Sequence, residues 1–146
     1  MAIPKQRLIA LIIVVLSIVG MILLLATDFA GFYLTGYYSG YRYSCLGCDY
    51  YTGVDTAAII IAAILLAFQL LIAANAVLPT PFLKKLHGMK IIPILGLLTI
   101  LMMMMGGISF GTTYEDFTWW FEAGFYGGLI AGILNTVLAV LSLRMR

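Results

Sequence analysis

The chain has 146 residues, of which 64% are hydrophobic and only 10% charged, with a mean hydropathy of +1.11. Soluble domains carry about a quarter charged residues, so this composition excludes an ordinary soluble domain and points to an integral membrane protein. The formal charge of +2 leaves no basic surface beyond the segments between apolar runs, and no nucleic acid is expected as a partner.

Four apolar runs follow one another: 8–26, 56–78, 91–110 and 123–143. Each is close to the ~20 residues an α-helix needs to cross about 30 Å of hydrocarbon. The predicted fold is an all-α integral membrane protein, a four-transmembrane-helix bundle forming a single domain over 1–146. The first run exceeds the roughly 7–15 apolar residues of a secretory signal and is read as a helix that stays.

Seven of the eight basic residues fall on one side of this layout: Lys5, Arg7, Lys84, Lys85, Lys90, Arg144 and Arg146. By the positive-inside rule that side is cytoplasmic, which places both termini inside, the segment 79–90 inside, and the segments 27–55 and 111–122 outside. The expected location is the plasma membrane, multi-pass.

After the first helix, the outer segment 27–55 carries seven of the nine tyrosines. Tyr37, Tyr38, Tyr41, Tyr43, Tyr50 and Tyr51 are read as a contact surface, because tyrosine offers a rigid amphipathic face at low entropic cost; an aromatic belt at headgroup level is the competing reading. Partial alternation of Tyr37, Tyr41 and Tyr43 with Ser39, Arg42 and Ser44 allows a small β-sheet in this segment. Trp119 and Trp120 in the second outer segment read as belt residues.

The same segment holds the only cysteines, Cys45 and Cys48, in Y-S-C-L-G-C-D-Y-Y. On the outer side a structural disulfide is the leading reading, for which the chain-entropy model credits so short a loop with about 2 kcal/mol. A redox-active Cys-x-x-Cys is the second, half of a metal site the third, and free or modified thiols the remainder. Four helices with this motif resemble the quinone-linked thiol oxidases of disulfide-bond formation, but the second outer segment, G-T-T-Y-E-D-F-T-W-W, lacks that family's second cysteine pair. The sole histidine, His87, lies in the inner segment and reads as solvated. No cofactor and no metal are expected.

In lipid, helices associate through close packing and hydrogen bonds. Gly124, Gly128 and Gly132 recur every fourth residue, with Thr136 on the same face, and are read as a packing stripe for the bundle or for a second copy. The second run offers Ala58, Ala62, Ala63, Ala67, Ala73 and Ala74, and the first offers Ser17 and Gly20. Of the polar residues within the spans, Gln69 and Asn135 read as interhelical hydrogen-bonding groups. No ionisable group is expected deeper than Glu122, which argues against a pump or secondary transporter. Met102 to Met105 point in four directions and read as adaptable packing rather than a copper site.

The fourth-helix region, Y-E-D-F-T-W-W-F-E-A-G-F-Y-G-G-L-I-A-G-I-L-N-T-V-L-A-V-L-S-L-R-M-R, together with a longer first outer segment holding a close cysteine pair, resembles the claudin and peripheral-myelin-protein-like tetraspan superfamily. The resemblance implies a left-handed four-helix bundle with a small outer sheet. The first outer segment lacks the claudin pattern of a tryptophan and a Gly-Leu-Trp before two cysteines, so adhesion or pore residues are not carried over. The functional expectation is a non-enzymatic tetraspan: a structural or accessory subunit, or a self-associating contact protein. Its partners would be the lipid bilayer and other membrane-protein subunits or copies of itself. The alternatives are a thiol–disulfide oxidoreductase acting through Cys45 and Cys48, and a passive oligomeric pore with Asp49, Asp55, Glu115 and Asp116 at its mouth.

Overall fold

The computed structural model describes residues 5–33, 40–44, 53–78 and 88–145, with 40–44 described by their backbone. Four long helices dominate it: α1 (Lys5–Ala26), α2 (Gly53–Val77), α3 (Ile92–Thr113) and α4 (Ala123–Arg144). All four are long and apolar enough to cross a membrane. Their outward surfaces are as apolar as their interiors, with Leu71 and Ile108 each 61% exposed; a helix apolar all round is made for hydrocarbon. Each helix packs on its neighbour in the chain, and α4 closes the ring against α1.

The helices outrun the apolar runs that define them. α2 begins at Gly53, three residues before the expected span, so Asp55 lies in its first turn and is fully buried. An acid there is favoured by the positive end of the helix dipole. α3 continues to Thr113, past the expected 110, and ends where the Tyr114 amide donates to the Phe110 carbonyl. Pro93 sits in the first turn of α3, where its missing N–H removes no hydrogen bond. A short 3-10 turn at Gly88–Lys90 leads into this helix.

At one end three strands form an antiparallel sheet: β1 (Asp28–Tyr33), β2 (Gly40–Ser44) and β3 (Thr118–Phe121), in the order β2-β1-β3. The sequence allowed a sheet within the first outer segment; the structure draws its third strand from the second. Trp119 and Trp120, expected as loop and belt residues, therefore lie on β3, opposite Phe32 and Gly31 of β1. β3 runs almost directly into α4 through extended Glu122, whose amide donates to the Phe29 carbonyl at 3.0 Å. That bond ties the sheet to the start of α4.

Glycine sets how closely the helices approach. A Cβ on Gly96 of α3 would collide with Thr136 of α4, and one on Gly20 of α1 would come within 2.6 Å of the Ala131 Cβ on α4. Gly124 is the most constrained in kind: its added Cβ would lie 2.9 Å from the Asp28 carbonyl oxygen and 3.2 Å from the Phe29 Cα, both main-chain atoms of β1.

Candidate functional site

Near the middle of the bundle each helix contributes one polar side chain to a single layer: Ser17 from α1, Gln69 from α2, Thr99 from α3 and Asn135 from α4. All four are 0% exposed. Asn135 Nδ2 donates to Ser17 Oγ and to Gln69 Oε1, each at 2.9 Å; Gln69 Nε2 donates to Thr99 Oγ1 at 3.0 Å; and the Thr99 hydroxyl donates to the Leu95 carbonyl at 2.8 Å. Gln69 and Asn135 were read from sequence as interhelical groups, and here they bond to each other across the bundle. Ser17, read from sequence as a small packing residue, and Thr99 complete the layer.

The layer separates two apolar clusters. On the sheet side, Leu24, Phe29, Ile59, Leu66, Met103 and Phe110 belong to one core; on the other, Ala10, Ile13, Ala73, Met89, Ile92 and Ala139 form a second. The exposed basic residues among the described ones, Lys5, Arg7, Lys90 and Arg144, lie at the end of the second cluster. All four groups in the layer are neutral, so it can fasten helices but offers no titratable relay.

At the sheet end the chemistry is aromatic. Phe121 stacks on Phe125 with ring centroids 3.8 Å apart, Phe29 meets Phe125 edge-on at 5.6 Å, and Phe32 stacks on Tyr114 at 4.2 Å. These contacts pin the sheet to α3 and α4. On the solvent side, Tyr33 and Trp120 rings lie 4.8 Å apart, and Trp120 Nε1 donates to Glu122 Oε1 at 2.6 Å. Tyr33 and Trp119 remain exposed, as do the acids Glu115 and Asp116.

Asp55 departs most from its expected place. Read as an acid at an outer mouth, it is instead wholly enclosed beneath the sheet, its main chain close to Gly106 of α3 and that glycine close to the Phe29 ring. The misleading signal was the stop of the apolar run at Thr56; the glycine before the acid marked the earlier helix start.

The predicted packing stripe is spent inside the chain. Gly124 faces β1, Gly128 faces Met103, Gly132 faces Ile100 and the Gly96 carbonyl, and Thr136 faces Gly96. Of the predicted contact tyrosines, Tyr41 and Tyr43 fall on β2, paired with Phe32 and Ala30. Tyr37, Tyr38, Tyr50, Tyr51, Cys45 and Cys48 lie outside the described residues, as do Lys84, Lys85 and His87.

Among the described residues, apolar grooves open sideways in the sheet half. One, about 340 Å³, runs along Met104, Gly107, Ile108 and Gly111 of α3 under the rings of Trp119 and Phe121. The other, about 210 Å³, lies between α1 and α4 along Leu16, Gly20, Tyr126 and Ile130. Their linings suit hydrocarbon rather than a polar substrate. Four membrane-length helices fit a tetraspan topology, and no protein-family model, curated protein or solved structure matches the chain.

Proposed function

We infer that the chain is a non-enzymatic tetraspan membrane protein, a structural or accessory subunit or self-associating contact protein, with a claudin-like arrangement of four helices under an outer sheet. The observation that carries this reading is the polar layer. Its four side chains bond one helix to the next, and none can carry charge at physiological pH. A transport path would place titratable or charged groups at this depth.

The positive-inside rule orients the molecule with Lys5, Arg7, Lys90 and Arg144 in the cytoplasm and the sheet outside, and in this reading the membrane is the plasma membrane. The basic end then meets anionic lipid of the inner leaflet. Because Gly124, Gly128, Gly132 and Thr136 serve the chain's own seams, contact with other subunits or copies falls to the outer segment. Exposed Tyr33 there, and exposed Trp119 of the second outer segment, add to the tyrosines at 37–51. In this reading Cys45 and Cys48 form a disulfide that pinches the contact loop.

Purification from native membranes in mild detergent, followed by native mass spectrometry, tests the reading. The expected result is a stoichiometric complex with other membrane subunits or with further copies, weakened by Tyr33→Ala and Trp119→Ala together. A monomer without partners, isolated from its native membrane at every protein concentration, would overturn it.

A further inference from the structure

Thr99 sets the direction of the polar relay. Its hydroxyl hydrogen goes to the Leu95 carbonyl, so its oxygen accepts from Gln69 Nε2. That turns Gln69 Oε1 toward Asn135, whose Nδ2 supplies it and Ser17 Oγ. Both amide hydrogens of Asn135 are then used. Its Oδ1, on a residue 0% exposed, meets no donor among the described residues.

A carbonyl oxygen has two lone pairs to satisfy, and hydrocarbon supplies no donor. Reversing the relay does not remove the mismatch. If Ser17 and Gln69 donated to the Asn135 carbonyl and Thr99 donated to Gln69, the same end of the Asn135 amide would be left bare as an NH₂ group. The bare end belongs to the geometry of the layer, whichever way its protons run.

We propose that this end of Asn135 binds one water molecule, held inside the bundle at the level of the polar layer. Water both donates and accepts, so it satisfies the amide in either orientation, and it brings no charge. A cation would meet the oxygen but would place an uncompensated charge among four neutral side chains. In the orientation with Asn135 Nδ2 donating to Ser17 Oγ, the Ser17 hydroxyl keeps its own hydrogen and is available as a second partner for the same water. Buried waters make about three hydrogen bonds and persist where polar groups would otherwise go unpaired.

The test uses the full wild-type chain. A crystal structure grown from a lipidic phase, at a resolution that shows ordered water, is expected to hold a density peak within about 3.2 Å of the bare amide atom of Asn135. Infrared difference spectra after equilibration in water enriched with oxygen-18 are expected to contain a shifted O–H band from a slowly exchanging bound water, absent in Asn135→Leu. The infrared band in the wild-type protein stands whether or not the variant folds. An empty density map at that position together with no oxygen-18-sensitive band would overturn the proposal. So would an anomalous peak there after rubidium replaces sodium, because the occupant would then be a cation.

Discussion

The two halves of the bundle, divided by the Ser17–Gln69–Thr99–Asn135 layer, are closed with different materials. The sheet half is built from rings set against glycine: Phe29, Phe110 and Phe125 fill it, and Gly106, Gly107 and Gly124 give the rings and β1 room to approach. The basic half has no buried aromatic residue among its described members. It is closed by Ala10, Ala73 and Ala139 with Ile13, Ile92 and Met89. Small side chains let helices meet backbone to backbone, whereas rings hold a non-helical element against helices through large, directional contact areas. Both halves bury alanine, including Ala62, Ala63 and Ala131 in the sheet half, but only the half that must seat a sheet adds buried rings among the described residues.

If this contrast is right, damage to the sheet half costs most. Phe29→Ala removes a fully buried ring that touches Phe121 and Phe125 and is expected to destabilise the protein by about 3 kcal/mol or more. Denaturant unfolding in micelles followed by circular dichroism would measure it. A loss no larger than that from an exposed control, Leu97→Ala, would break the comparison. Gly124→Leu comes next, at about 1–3 kcal/mol, because the atoms in its way are main-chain atoms of β1 that cannot rotate aside. Detachment of the sheet should appear as faster amide exchange in 28–33 while the basic half stays protected. Uniform loss of protection would mean that the halves are not separable.

The layer between them is expected to matter less than either core. Asn135→Leu breaks two interhelical bonds, and side-chain hydrogen bonds in membrane proteins average about 0.6 kcal/mol each, so the expected loss is about 1–2 kcal/mol. A double-mutant cycle with Gln69→Leu should return a coupling near 0.6 kcal/mol. A coupling close to zero would mean that the two amides do not support each other.

The four spans were legible because twenty-residue apolar runs have few other uses, and Gln69 and Asn135 were legible because a polar residue in such a run needs a partner. The sheet was legible only in part. Only β2 carries the alternation read from the sequence; β1 reads D-F-A-G-F-Y and β3 reads T-W-W-F, neither with an alternating pattern, and β3 pairs with β1 across most of the chain's length. Local pattern cannot announce a partner so remote. Asp55 was misplaced for a related reason: hydropathy marks where oil stops, whereas a helix continues until its backbone bonds run out. The glycine stripe was visible as spacing, but spacing alone cannot say that the surface it fits is β1 and α3 of the same chain.

Thr99→Val is the smallest change and the sharpest. Thr99 takes part in both kinds of closure, since its Oγ1 accepts from Gln69 while a Cβ built on Gly132 would lie 3.3 Å from its Cγ2. Valine keeps the branched shape and that contact, so the substitution removes the hydroxyl with little change in packing. If the relay is a set of independent bonds, the cost should be about 0.6 kcal/mol, and amide protection in both halves should be unchanged. If the relay acts as one unit, orphaning Gln69 Nε2 would also loosen Asn135 and Ser17, and the loss would approach that of Asn135→Leu. The layer would then be a cooperative core in its own right, and the bundle would have three packed regions rather than two halves joined at a seam.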